Sequence, residues 1–112
     1  MHSRYRVKFV GSRVKRELAR IPQPDRDRIA EALRSLTDAP RPYGIKQLSP
    51  GIYRLRVGSY RVIYRVLDNE RLVIIGRVCR RSERTYRQWQ QLFEEPAAYN
   101  AALQPSASRI NL

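Results

Sequence analysis

Two short stretches concentrate residues able to do chemistry. YRLRVGSYRVIYR, residues 53–65, carries Arg54, Arg56, Arg61 and Arg65 around Gly58-Ser59. RVCRRSERTYR, residues 77–87, carries Arg77, Arg80, Arg81, Arg84 and Arg87, with Tyr86 among them. Guanidinium groups in this number suit one chemistry above others, the bidentate donation of N–H groups to phosphate oxygens. Gly58-Ser59 fits a two-residue type II′ hairpin turn, with glycine at the first central position. Val57 then faces Tyr60, and Arg56 faces Arg61. Strand alternation puts Arg54, Arg56, Arg61 and Arg65 on one face, with Tyr53, Leu55, Val57, Tyr60, Val62 and Tyr64 on the other. Like charges directly opposed in a ladder are unfavourable. At ~5.5 Å they repel by ~0.7 kcal/mol in a water-like dielectric and ~3 kcal/mol at an effective value near 20. A bound phosphate reverses the sign of that term. The bland alternative is an exposed sheet face of solvated arginines.

The elements that must position these residues follow from periodicity. YRVKFV, residues 5–10, alternates as a half-buried strand, with Arg6 and Lys8 opposite Tyr5, Val7 and Phe9. Ser12 can cap a helix through RVKRELARI, where Val14, Leu18 and Ile21 recur at helical spacing. PQP at 22–24 breaks it, and a second helix runs over about 24–37, with Pro24, Asp25 and Asp27 in its first turn. Residues 43–51 read as loop. Three strands then form a meander, at 52–57, 60–66 and 71–78, with a turn near Asp68-Asn69. The meander brings the exit of its last strand to the start of its middle one, so Arg80 and Arg81 can approach Arg61, with Tyr86 at the edge of the cluster. A last helix over about 83–95 carries Tyr86, Trp89 and Phe93. The fold class expected is α+β, with a domain at 1–95 and a C-terminal tail or extension at 96–112.

Composition narrows the partners. The chain has 112 residues, enough for one modest core. Its 23 Lys+Arg against 10 Asp+Glu give a formal charge of +13, which attracts polyanions, nucleic acid first. The one cysteine, Cys79, excludes a disulfide framework and reads as a small buried apolar residue. The one histidine, His2, sits near the terminus, which excludes a two-histidine ribonuclease mechanism. No cofactor or metal is expected. No apolar run approaches the roughly 20 residues of a membrane span, and no signal peptide is visible, so the expected location is cytoplasmic.

The hairpin IYRLRVGSYRVIYRV, the two helices before it and the basic segment RVCRRSERTYR resemble the RelE/ParE toxin superfamily of type II toxin–antitoxin systems. The likeness runs from about Tyr5 to Tyr86. It implies a RelE-like fold and, in the RelE-like branch, metal-independent cleavage of messenger RNA in the ribosomal A site. Carried over by position, the resemblance makes Arg54, Arg56, Arg61, Arg81 and Tyr86 the catalytic set, with Arg80 a rival to Arg81. Arg65, Arg77, Arg80, Arg84 and Arg87 are assigned to RNA binding. It also implies a cognate antitoxin as hetero-oligomeric partner, and repression of the pair's own promoter through the antitoxin.

The chemistry is feasible with these residue types. RNA supplies its own nucleophile, the 2′-hydroxyl, and arginines can stabilise a dianionic phosphorane. A free tyrosine ionises near pH ~10, and neighbouring cations favour its phenolate, which makes Tyr86 a candidate general base. Tyr86 also shares a helical stripe with Trp89 and Phe93, so it reads equally as a packed aromatic. Glu83 reads as a charge at the helix start. The ParE-like branch of the superfamily offers a different reading, a non-catalytic inhibitor of DNA gyrase. An inactive module that binds RNA or the ribosome is a third.

Overall fold

The structure, a computed structural model, describes residues 4–80 and Phe93. The order of elements is β1 (Arg6–Phe9), α1 (Ser12–Ala19), α2 (Gln23–Ser35), β2 (Lys46–Ser49), β3 (Ile52–Val57), β4 (Tyr60–Leu67) and β5 (Leu72–Arg80). One five-stranded sheet results, in the order β1-β5-β4-β3-β2. Strands β2 to β5 are antiparallel neighbours, and β1 returns to pair parallel with β5. The architecture is the expected α+β, with a two-helix hairpin inserted after the first strand.

Two expectations are corrected. Residues 43–51 contain a strand, β2, paired with β3 through Lys46 opposite Arg54 and Gln47 opposite Tyr53. The antiparallel part of the sheet is therefore four-stranded rather than a three-stranded meander. Lys46, Gln47, Leu48 and Ser49 carry no convincing strand composition, and pairing with β3 supplies what propensity does not. Ser12 does not cap α1. It is the first helical residue, preceded by Gly11 as the cap without a side-chain hydrogen bond, and its Oγ accepts from Arg16 Nη1 at 3.1 Å. The expected helix at 83–95, apart from Phe93, and the boundary at 95/96 lie outside the described residues.

Tyr60 and Ile21 border one groove, and Val7, Phe9, Leu18, Ala30 and Leu33 border another, so the helices lie on the sheet face carrying Val7, Phe9 and Tyr60. Val14, Ile29, Leu33 and Leu36 turn inward against Val62, Tyr64, Val73 and Ile75 on that face, and all are buried. Burying each such side chain stabilises the fold by roughly 1.5–3 kcal/mol before entropy is charged. The other face is not simply polar. Ile52, Ile63, Leu72, Ile74 and Cys79 are buried there, so β4 and β5 are apolar on both sides. Phe93 belongs to the same core.

Candidate phosphate-binding face and comparison with known proteins

The turn sets the geometry of the site. Gly58 has φ +59°, the left-handed value that the first central position of a type II′ turn requires. It fixes the β3–β4 register with Val57 opposite Tyr60 and Arg56 opposite Arg61. Arg54 lies opposite Ile63, and Arg65 opposite Ile52. The four hairpin arginines thus share one face, away from the helices.

On β5, Cys79 stands beside Arg61 and Arg77 beside Ile63. Arg61 is therefore the hub. Arg56 is directly across from it, at the ~5.5 Å typical of opposed residues, and Arg54 and Arg77 occupy diagonal positions ~7–8 Å away. It is also the most enclosed of the group, at 8% exposure, while Arg54 and Arg65 are half-buried and Arg56 is exposed. Isoleucines separate the remaining rows, so arginines and buried apolar residues alternate across the face. That pattern lets the apolar stems of the arginines lie along buried neighbours while their charged heads reach outward.

Gly76 decides which arginines of β5 join the group. Ile63 pairs with Arg77 and Tyr64 with Ile75, so Gly76 is an extra residue, a β-bulge. It reverses the alternation beyond it. Arg77 is brought to the arginine face, and Arg80 lands opposite Tyr60 on the helix face, with its guanidinium carbon 5.5 Å from the Tyr60 ring centroid. The expectation that Arg80 approaches Arg61 is not met, for this reason. Arg81, Arg84, Tyr86 and Arg87 lie outside the described residues.

Two features escaped the sequence. Parallel pairing sets Lys8 beside Ile74 and Arg6 beside Leu72, which extends the basic face across β1. The alternation of β1 was readable, but the strand that receives it was not. The second is Glu17 of α1. Its Oε1 accepts the Val78 amide at 2.8 Å, and its Oε2 lies 3.3 Å from Arg77 Nε and 3.9 Å from Arg13 Nε. One carboxylate caps the edge of β5 beyond the reach of β1 and restrains the outermost arginine of the face.

The opposite face has its own polar network. Arg41 donates from Nε to Tyr53 Oη at 2.9 Å and from its terminal nitrogens to both oxygens of Asp68, at 3.2 and 2.7 Å. Tyr5 Oη donates to Asp68, and Tyr64 Oη donates to the Pro40 carbonyl at 2.7 Å. Arg41 first, and Tyr5 second, hold the Asp68 carboxyl below the usual carboxylate range. Burial pushes the Tyr64 hydroxyl well above the usual tyrosine value. These groups fasten the loop after α2 to the sheet and stand apart from the arginine face.

This small α+β fold is similar to those of several known proteins. A sequence model described as ParE toxin of type II toxin-antitoxin system, parDE, matches residues 11–85. A RelE1 protein of Methanocaldococcus jannaschii is 34% identical over 77 residues, which are 64% of this chain and 86% of that protein. The toxin in the archaeal RelE–RelB complex of Pyrococcus horikoshii superposes with a TM-score of 0.62 at 28% identity, covering 70% of this chain and 97% of that one. A chain of the toxin–antitoxin complex RelBE2 of Mycobacterium tuberculosis gives 0.61 at 29% identity, covering 74% and 98%. Isolated RelE of Escherichia coli, at 21% identity and a TM-score of 0.61, shares the fold. The chain belongs to the RelE/ParE family of type II toxin–antitoxin toxins.

Proposed function

We propose that this toxin is a metal-independent endoribonuclease that cuts messenger RNA in the ribosomal A site. The observation that carries the reading is the convergence of Arg54, Arg56 and Arg61 on one face across a tight turn, with Arg56 and Arg61 directly opposed. Like charges directly opposed in a ladder are unfavourable, and a phosphate between the guanidiniums offsets that term.

In the proposed reaction Tyr86 takes the proton of the 2′-hydroxyl, the 2′-oxygen attacks the adjacent phosphorus, and the bond to the 5′-oxygen breaks, that oxygen taking its proton from solvent water. The products are a 2′,3′-cyclic phosphate and a 5′-hydroxyl. Arg61 holds the phosphate, Arg54 and Arg56 add charge stabilisation, and Arg81 serves the leaving oxygen or the phosphorane. Arg81 is preferred to Arg80 because Arg80 lies across the sheet, over Tyr60. Tyr86 is the proposed general base. Arginine holds its protons too tightly to be a good acid, so the arginines act by charge. Arg65, Arg77, Arg84 and Arg87 would hold flanking phosphates. A separately encoded antitoxin is the proposed partner, by likeness to the RelE–RelB and RelBE2 complexes.

Brief induction in cells, with mapping of messenger 5′ ends, tests the reading. Cuts inside translated codons that cease when translation is blocked are expected. Intact messages with arrested replication forks would instead support inhibition of gyrase, the reading that the match to the ParE description favours. Within the first reading, Tyr86→Phe should remove most cleavage, by 10²-fold or more, the usual contribution of a general base being ~10²–10⁴. RNA binding by that variant should be unchanged. Equal loss of both would make Tyr86 a packing residue.

A further inference from the structure

We propose that the cleft between α1 and the C-terminal half of β5 is a second phosphodiester site, one that takes the backbone of single-stranded RNA as it leaves the arginine face. The cleft has a volume of about 500 Å³, and among the described residues its charged lining is Arg13, Arg16, Glu17 and Arg20 from the α1 segment with Arg77 and Arg80 from β5. The inference rests on RNA as the ligand of the arginine face and is independent of whether that RNA is cut.

Residues 13, 16, 17 and 20 follow the spacing of three and four that defines one helical face. All four line the cleft, Arg13 and Glu17 half-buried within it and Arg16 and Arg20 exposed at its mouth. Arg16, in the last turn of α1, and Arg20, its C-cap, are like charges four apart on the same side of the cleft. Glu17 is committed to the Val78 amide and to Arg77, and so serves to pin helix to strand. The wall groups are Arg16, which donates to Ser12 Oγ, the exposed Arg20, and Arg80, held over the Tyr60 ring.

Position supplies the second part. Arg80 pairs with Tyr60, immediately after the hairpin turn, and Cys79 beside it is the neighbour of Arg61. β5, which forms one wall of the cleft, is thus the strand next to the one that carries Arg61, about 4.8 Å away, and the cleft lies past its edge toward the helix face. A strand of nucleic acid lying on Arg56 and Arg61 has only to pass the edge of β5 to reach Arg80, Arg16 and Arg20. Single-stranded RNA can turn that corner. A duplex, stiff over ~50 nm, cannot.

The test measures binding of a 2′-O-methyl decanucleotide, which cannot be cleaved, to the full chain by fluorescence anisotropy at several salt concentrations. The double variant Arg16→Gln/Arg20→Gln keeps helix propensity nearly constant. It should bind about tenfold more weakly at 100 mM salt, and its log K against log salt slope should be shallower by about 1.4, two contacts at ~0.7 each. Arg26→Gln/Arg34→Gln, with the same loss of charge on α2, should change neither by as much. Equal loss from the α2 pair would reduce the effect to net charge and overturn the site. So would unchanged binding by the α1 pair with unchanged melting, or a loss of antitoxin affinity without loss of RNA affinity. Because cleavage is not read, weakened binding by the α1 pair stands even if no message is cut in cells. Conversely, translation-dependent cuts with normal binding by the α1 pair would remove this site and leave the nuclease.

Discussion

At the scale of single residues, function and stability should pull in opposite directions at Arg56. Its side chain is exposed, and its direct neighbour across the ladder is Arg61, a like charge in a more enclosed position. Replacing Arg56 by Gln removes the repulsion and keeps a side chain able to lie along the strand. The fold should gain a few tenths of a kcal/mol, up to ~1, the range for opposed charges on a sheet. Affinity for RNA should fall by about tenfold, the size of one charge-assisted contact. Urea midpoints and anisotropy titrations on the same preparation read both. A variant that melts lower than the parent would mean that Arg56 contributes to folding and that its placement needs no ligand. This pairing was legible in the sequence because glycine at position 58 suits a two-residue hairpin turn, and such a turn fixes every cross-strand partner behind it. Arg80 was misplaced because the same certainty stops at Gly76. A glycine inside a strand announces a bulge, and a bulge exchanges the faces of every residue beyond it.

Among elements, the junction of α1 with β5 depends on one carboxylate. β1 ends at Phe9 and pairs with β5 only as far as Ile75, so among the described residues the rest of β5 has no strand on that side. Glu17 takes the place of the missing neighbour at Val78, while Arg13 Nη2 donates to the Gly76 carbonyl at 2.9 Å. Glu17→Gln preserves shape and an amide acceptor but withdraws the charge from between Arg13 and Arg77. With the side chain 14% exposed, the expected destabilisation is ~1–3 kcal/mol, the cost of stripping a charged hydrogen-bond acceptor from a mostly buried site. Amide exchange should quicken at Val78 before it does so in β4. Uniform loss of protection, or none, would mean that the helix is held by Val14 and its apolar neighbours alone. No sequence pattern announced this contact, because Glu17 sits among basic residues as an ordinary i, i+4 partner of Arg13. The strand β2 was equally unreadable by composition, although Pro50-Gly51 between Ser49 and Ile52 is the signature of a type II turn, and Gly51 has the φ of +82° that such a turn demands.

For the molecule as a whole, the formal charge of +13 works against compactness, and the few carboxylates must be spent where they join distant parts of the chain. Asp68 is the clearest instance. It sits in the turn between β4 and β5 and binds Arg41 from the loop after α2 and Tyr5 from the start of the chain. Three segments far apart in sequence meet on one side chain, which is why the arrangement was invisible to local pattern. Arg41 holds the Asp68 carboxyl below its usual range in the folded state, so on acidification the unfolded chain takes up that proton first. The stabilisation is therefore fully present above the ordinary aspartate value of ~3.9 and is lost as pH falls through the depressed folded value. Since Asp68 is about half exposed, the contribution at neutral pH is no more than ~1 kcal/mol. Comparing the parent with Asp68→Asn cancels the other acids. The parent should unfold at higher urea at pH 7, the gap should hold down to about pH 5, and it should close below about pH 4. A gap that stays constant between pH 7 and pH 3 would show that the carboxylate charge is idle and that hydrogen-bond geometry, which asparagine can copy, joins the three segments.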